Sequence, residues 1–184
     1  MSTWVTSDLH FSHSSILNFC PETRPYNDAT VMNRVMIEQW NDIVLPDDLT
    51  YIIGDVAFCT GLKASDILWQ LHGRKILIKG NHDDSQLESN AFINCFESIH
   101  DILDVKHNGV KIVMCHYPLF DWKGAQRGSL HLFGHRHGNP TGLEEYRTMD
   151  VGVDATGNIV SNLDDVVAKL MLNKVKAHHT PLHL

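Results

Sequence analysis

The segment from Lys75 to Asp83 reads KILIKGNHD, an apolar run that passes through one glycine into side chains able to bind a metal or carry a proton. Short runs rich in Ile, Leu or Val that end in a glycine or a polar cluster are typical of buried β-strands. The glycine permits a sharp turn and a close approach of the backbone to an ion. We therefore expect a strand at Lys75–Ile78 that presents residues 81–83 at its end.

The same pattern occurs four more times. We predict a strand at Thr3–Ser7, followed by Asp8-Leu9-His10, and another at Thr50–Ile53, followed by Gly54-Asp55. Two later strands are predicted at Lys111–Cys115, followed by His116, and at Leu130–Phe133, followed by Gly134-His135-Arg136-His137. A single Asp or His after a strand is usually a turn former or a helix cap, but that explanation does not extend to five positions in one chain. Residues two apart in an extended chain project to the same side and can reach one ion. Because the ends of neighbouring strands meet at one edge of a sheet, these side chains should converge in one crevice.

The remaining apolar patterns predict helices and a hairpin. One helix follows Asp28 and Thr30 and carries apolar positions up to Val44; a second has Ser65 as its N-cap, and a third covers Asn162–Asn173. Asn108-Gly109, between Ile99–Val105 and Val110–Cys115, is a strong signal for a hairpin. Strand–helix alternation followed by a hairpin predicts an α/β (α+β) fold, with a mixed sheet or two packed sheets and helices outside.

Length and composition favour one ordinary globular domain. The chain has 184 residues, 43% of them hydrophobic and 20% charged, and we expect a single domain over residues 1–175 followed by a flexible tail over 176–184, which includes His178, His179 and His183. The formal net charge of -7 argues against extended nucleic-acid binding, although not against a local phosphate site. No leader pattern and no apolar run of ~20 residues is present, so we expect a cytoplasmic protein that does not enter a membrane.

The cysteines and the candidate ligands indicate different chemistry. Cys20, Cys59, Cys95 and Cys115 lie far apart without a CxxC pair, which favours free thiols. Carboxylate, imidazole and amide donors without thiolate suit Mn, Fe, Co, Ni or Zn, and we expect manganese foremost. The supply of ligands exceeds one tetrahedral centre and predicts two ions. Two ions ~3.5–4 Å apart can clamp a phosphate and convert a bridging water into a hydroxide nucleophile.

The five motifs, in their order from residue 8 to residue 137, resemble the motif set of the calcineurin-like metallophosphoesterase superfamily. The resemblance implies a two-sheet β-sandwich of mixed strands flanked by helices. It also implies one metal held by Asp8, His10, Asp55 and His137, and a second held by Asp55, Asn81, His116 and His135. His82 would be a catalytic residue that donates to a phosphate oxygen or to the leaving group, oriented by Asp83.

Two departures from the family pattern bear on the substrate. Protein phosphatases of the superfamily carry Gly-Asp-x-x-Asp-Arg-Gly, whereas this chain lacks that arginine in Gly54–Cys59, which disfavours phosphoprotein substrates. Phe11-Ser12-His13 and Arg24-Pro25-Tyr26 resemble a small phage and bacterial single-domain subgroup. His13 and Arg24 are therefore candidates for substrate binding, Arg24 through its planar fork, although both could equally lie on a surface loop.

Three tryptophans could stack on a nucleobase. Trp40 and Trp69 lie at helical spacing with other apolar residues, so we expect them in the core. Trp122 follows His116 in a polar stretch and is the better candidate for a wall of the substrate site.

The sequence therefore predicts a dinuclear metal-dependent hydrolase that acts on phosphomonoesters or phosphodiesters of a small molecule or nucleotide. Monoesterase and diesterase activity are not separated, because both would use the same ions. One alternative is a metal-dependent nuclease, which requires a basic groove that the composition does not suggest. Another is a non-catalytic binding scaffold whose metal site has decayed. The oligomeric state and the natural substrate stay open.

Overall fold

The computed structural model describes residues 1–177 and has two mixed β-sheets flanked by helices, as the sequence predicts. The first sheet contains, in spatial order, Ser98–His100 (β4), Arg74–Ile78 (β3), Leu49–Ile52 (β2), Thr3–Thr6 (β1) and Ser161–Asn162 (β9). β1 to β4 are parallel, and β9 pairs with β1 in the antiparallel sense. The segments that follow β1, β2 and β3 therefore leave the sheet at the same edge.

The second sheet contains Ile102–His107 (β5), Val110–Cys115 (β6), Leu130–Phe133 (β7) and Thr148–Asp150 (β8), in that spatial order. β5 and β6 form an antiparallel hairpin, while β6, β7 and β8 are parallel. The turn has positive φ angles of 47° at Asn108 and 88° at Gly109, which confirms the predicted hairpin. The five predicted strands are confirmed, with ends that shift by at most one residue.

Six short or medium helices complete the described part of the chain, residues 1–177. They are Ile16–Phe19 (α1), Ala29–Ile43 (α2), Gly61–Leu68 (α3), Asn90–Ile93 (α4), Val153–Thr156 (α5) and Leu163–Met171 (α6), with a 3-10 turn at Ala125–Arg127. The carboxylate of Asp28 caps α2 by accepting from the amides of Thr30 and Val31. Ser65 was wrong as the N-cap of α3: the cap is Thr60, and Ser65 lies inside the helix.

Two large apolar clusters form most of the core of residues 1–177, beside the small cluster of Val113, Trp122 and Ala125. One lies between the sheets and contains Val5, Ile53, Ile78, Ile112, Met114, Leu130 and Leu132, closed at one side by α6. The other lies between the first sheet and the outer helices and contains Ile52, Leu77, Met32, Met36, Trp40 and Leu68. Successive residues such as Ile52 and Ile53 thus point to opposite faces of the sheet, because side chains alternate along a strand.

The three tryptophans behave differently from one another. Trp40 is buried, as predicted. Trp69 is 68% exposed, contrary to prediction, because it continues the outward side of α3 that carries the exposed Leu62, and not the side that buries Ala64 and Leu68. Trp122 is 6% exposed, packs with Val113 and Ala125, and donates through its indole N–H to Ser129. The prediction of a substrate wall at Trp122 is therefore wrong, since the ring is enclosed by protein.

The structure covers only the beginning of the predicted tail. His178, His179 and His183 lie outside the described residues, whereas Lys176 places its ammonium group 3.6 Å from the ring centre of Phe120. The four cysteines are free thiols, as predicted. Within residues 1–177, no helix has the length and apolar character needed to span a membrane.

Candidate metal centre

The predicted ligands meet where the strands of both sheets end. Their ligand atoms form two groups, Asp8 with His10 and His137, and Asp55 with His116 and His135, and within each group these atoms lie within 4.8 Å of one another. The side-chain oxygen of Asn81 extends the second group and lies 3.1 Å from Nε2 of His116. Seven side chains separated by up to 129 residues thus share one crevice, which is the convergence expected from the strand ends.

His10 faces a carboxylate of each group. Its Nε2 atom lies 3.8 Å from Oδ1 of Asp8 and 3.7 Å from Oδ2 of Asp55, and both of its ring nitrogens are buried without a hydrogen-bond partner. Burial lowers the pKa of His10 to about 3, so the ring is neutral and retains a lone pair. A buried lone pair that faces two carboxylates lacks a partner unless a cation lies between them.

His116 organises the second group. Nδ1 lies 2.8 Å from the carbonyl oxygen of Ile53 and is therefore assigned the proton, which leaves Nε2 facing Asn81 and, at 3.5 Å, Oδ2 of Asp55. Burial lowers the pKa of His116, but the Asp55 carboxylate outweighs it and raises the pKa overall. This arrangement attracts a proton, and acceptor atoms that attract a proton can hold a metal ion instead.

Asp55 stands between the two groups. The same oxygen, Oδ2, faces His10 and His116, while Oδ1 accepts the backbone N–H of His82 at 3.0 Å. Burial alone would raise the pKa of Asp55, but the hydrogen bond and charge of His116 lower it overall. Asp8 is different, because burial raises its pKa to about 6. A divalent cation beside Asp8 would favour its ionised form.

The backbone at the ligands adopts a conformation that ordinary residues avoid. Five of the seven predicted ligands have positive φ angles: Asp8 (55°), His10 (49°), Asp55 (54°), His135 (68°) and His137 (48°). Left-handed conformations cost non-glycine residues free energy and cluster at functional sites. The strain gives an independent indication that this crevice is a functional site.

The predicted glycines are required by close packing around the carboxylates. A Cβ atom on Gly134 would collide with the side chains of Ser7 and Asp8, and one on Gly80 would collide with the Asp55 carboxylate. Gly54 has a φ angle of 81°, and a Cβ there would lie 2.5 Å from the Cα of Gly80. Only glycine allows the three loops to approach one another so closely.

Asp154 is a site residue that the sequence did not reveal. Its Oδ2 atom lies 2.8 Å from Nδ1 of His137, whose Nε2 lies 3.9 Å from Oδ1 of Asp8. A histidine held by a carboxylate on one nitrogen, with the other directed at a ligand group, is the usual arrangement around a protein-bound metal. The hydrogen bond from His137 to Asp154 raises the pKa of His137. Nothing in the sequence indicates Asp154, because it belongs to the four-residue α5, which has no long apolar run.

The geometry of Arg24 differs from the predicted phosphate grip. The side chain is 1% exposed, and Nε and Nη2 bind the two oxygens of Asp154 at 2.8 and 3.1 Å. The remaining donors reach the carbonyl oxygens of Leu9 at 2.9 Å and Asp8 at 2.7 Å. The guanidinium donors of Arg24 are thus taken up by groups of the protein itself. Arg24 holds Asp154 and the loop of Asp8 and Leu9 in place and does not bind a substrate phosphate. His13 does lie beside the crevice, with its ring centre 5.4 Å from that of His10.

Asp83 also differs from its predicted role as the partner of His82. Its carboxylate is fully buried and accepts the backbone N–H groups of Gly80 at 2.8 Å, Val56 at 2.9 Å and Asp55 at 3.0 Å. Burial raises its pKa, while these hydrogen bonds act in the opposite direction. No hydrogen bond links this carboxylate to the imidazole of His82 in the described structure. Asp83 therefore joins the loops after β2 and β3, and His82 is positioned through its own amide.

Comparison with known proteins shows similarity along nearly the whole chain, and no family model matches it. An uncharacterised protein of Methanocaldococcus jannaschii, MJ1445, is 29% identical over 181 residues, covering 94% of this chain and 93% of the relative. The solved structure of AQ665 from Aquifex aeolicus, a protein of unknown function, has a TM-score of 0.74 at 24% identity and covers 91% of this chain and 98% of that one.

A solved archaeal phosphodiesterase has a TM-score of 0.43 at 16% identity, with 73% of this chain and 72% of that chain covered. The Aquifex likeness establishes a shared fold and no activity. The archaeal likeness is too partial to support either conclusion.

Proposed function

We propose that the chain is a hydrolase of phosphomonoesters or phosphodiesters that depends on two divalent metal ions, of which manganese fits best. The observation that carries the proposal is the pair of adjoining ligand groups with one carboxylate oxygen of Asp55 between them. The unpartnered nitrogens of His10 support it further, because a buried imidazole without a partner is otherwise unfavourable.

The residues present suit two ions. Asp8, His10, Asp55 and His137 would hold one, and Asp55, Asn81, His116 and His135 would hold the other. Oxygen and imidazole ligands without thiolate suit manganese, iron, cobalt, nickel or zinc. When bound, such ions neutralise charge on phosphate oxygens and lower the pKa of water.

The chain's own contribution to the reaction centres on His82. Its amide is held by Asp55, and its exposed ring lies 6.0 Å from that of His10, measured between centres, so it borders the metal centre without being enclosed by it. An imidazole in that position can donate a proton to a leaving alkoxide or to a phosphate oxygen. Asp154 and Arg24 would keep His137 and the Asp8 loop in place.

Removing metal should abolish activity, because the proposed chemistry depends on the ligand groups rather than on a side-chain nucleophile. The test is hydrolysis of nitrophenyl mono- and diesters, nucleotides and cyclic nucleotides by stripped protein, reconstituted separately with Mn, Fe, Co, Ni or Zn. Metal content measured on the same samples should approach two ions per chain in the active forms. Full activity of protein shown to be metal-free would contradict the proposal, and metal binding without any turnover would favour the scaffold alternative.

We expect His82→Ala to retain both metals while kcat falls by roughly 10²–10⁴-fold on an ester with a poor leaving group, the usual worth of a positioned general acid. The loss should be smaller with nitrophenolate, which needs little protonation. An equal loss on both substrates would assign His82 to charge stabilisation on a non-bridging oxygen. Loss of a metal in this variant would show that His82 is a ligand.

A further inference from the structure

A small cavity adjoins the proposed proton donor. It has a volume of about 190 Å³ and is lined by Ala57, Phe58, Cys59, His82, Ser85 and Gln86. Sites for drug-sized ligands are typically ~300–1,000 Å³, so this cavity accommodates one ring system rather than a whole large ligand. If His82 donates a proton to the departing oxygen, the group bonded to that oxygen would lie next to this cavity.

Phe58 forms the aromatic wall of this cavity. Its ring centre lies 4.6 Å from that of His82, 3.8 Å from that of His13 and 5.8 Å from that of His10, yet the side chain is 42% exposed. The exposed part of this phenyl ring offers apolar surface that a bound planar ring would remove from water. Aromatic rings in such positions stack on planar partners.

The backbone around Phe58 is rigidly held. Gln86 is 3% exposed, and its amide nitrogen donates to the carbonyl oxygens of Ala57 and Cys59, both at 2.9 Å, on either side of Phe58. The amide of Phe58 itself donates to the carbonyl oxygen of Phe11 at 2.7 Å. The Phe58 ring is thus carried by a segment held in one conformation, which lowers the entropic cost of stacking a ligand ring on it.

We propose that this cavity is a subsite for a nucleobase of the leaving group, stacked on Phe58. The inference rests on the proposed function, since it requires the scissile phosphate to lie at the ligand groups next to His82. A nucleobase fits better than a plain phenyl ring, because the hydroxyl of Ser85 and the thiol of Cys59 line the cavity beside the apolar face. They can hydrogen-bond to the polar edge of a heteroaromatic ring. The substrate class is therefore a nucleoside phosphoester.

The kinetic test compares a dinucleoside monophosphate with an analogue whose leaving nucleoside is replaced by the sugar alone. We expect Phe58→Leu to raise KM for the base-bearing substrate about tenfold, within the range for loss of one stacked base, and to affect the base-free analogue less. Phe58→Tyr should retain the preference for the base. Trp69→Leu removes an aromatic ring outside the cavity that is more exposed than Phe58, 68% against 42%, and should leave the preference unchanged. An unchanged preference in Phe58→Leu would overturn the subsite.

A binding test separates this inference from the proposed function. Titration of a nucleoside into metal-free protein should shift the ring-proton NMR signals of Phe58 to saturation, and the free sugar should not. Saturable binding that Phe58→Leu abolishes, without hydrolysis of either substrate, would support the subsite and contradict the phosphoesterase. Phenol binding as tightly as the nucleoside would overturn the nucleobase assignment in favour of an unspecific aromatic pocket.

Discussion

Replacing Asp55 by asparagine should reduce kcat/KM by on the order of 10³-fold or more. One of its oxygens faces both His10 and His116, at 3.7 and 3.5 Å, so the substitution removes the negative charge between the two proposed ions. Bound metals supply several kcal/mol of stabilisation to a phosphoryl transition state, and each ~1.4 kcal/mol is a factor of ten in rate. The measurement is steady-state kinetics together with the metal content of the purified variant.

His13→Ala is the matched control for this experiment. His13 lies at the edge of the same crevice, but its Nδ1 atom accepts the backbone N–H of Ile16 at 3.1 Å, away from the ligand groups. We expect a much smaller loss of activity and unchanged metal content. If His13→Ala lost more activity than Asp55→Asn, Asp55 would not be the bridging ligand.

The Arg24→Met variant should lose roughly 3–5 kcal/mol of unfolding free energy, the usual effect of breaking a buried ion pair by removing one partner. The substitution leaves the Asp154 side chain, which is 2% exposed, without its guanidinium, and two carbonyl oxygens without their donors. For a domain of this size the melting temperature should fall by roughly 6–20 °C. Chemical denaturation and calorimetry both measure the change.

Arg34→Met provides the control, because Arg34 and Glu38 form an exposed pair with side-chain accessibilities of 64% and 58% and such pairs contribute little. A stable Arg24→Met variant with weakened phosphate binding would instead restore the sequence-based hypothesis that Arg24 grips substrate.

The pH dependence of this effect follows from Asp154. Burial acts to raise its pKa, but the hydrogen bonds from His137 and Arg24 and the charge of Arg24 outweigh it, so the pKa lies well below the usual range. A depressed carboxyl pKa stabilises the fold above the unfolded value, about 3.9, and the contribution is lost as pH falls through the folded value. The stability gap between wild type and Arg24→Met should therefore keep its full size from pH 7 down to about pH 4 and narrow as the pH falls further below that value.

The sequence revealed the features that depend on local pattern. An apolar run that ends in glycine and a polar residue fixes both a strand and the edge at which Asp55 or Asn81 emerges, so the strands and the meeting of the ligands were predictable. Trp69 shows where periodicity fails, since its spacing from other apolar residues does not reveal that it lies on the exposed side of α3.

The residues around the ligands depend on contacts between distant parts of the chain. Arg24 and Asp154 are 130 positions apart, and neither lies in a segment whose pattern indicates the other. The three amides that bind Asp83 likewise come from two separate loops, which is why its structural role was not visible in the motif that contains it.

The left-handed backbone at the ligands bears on how such a chain could change over generations. Each non-glycine residue in that conformation gives up about 1–2 kcal/mol, and five of them together approach the ~5–15 kcal/mol that holds a whole domain folded. If the crevice had no function, mutations to glycine at these positions would relieve the strain, stabilise the chain and not be removed by selection. A binding scaffold that no longer needs the metal site should therefore lose the aspartates and histidines at these five positions first. That aspartate and histidine stand at all five positions argues that the protein is kept for what its crevice does.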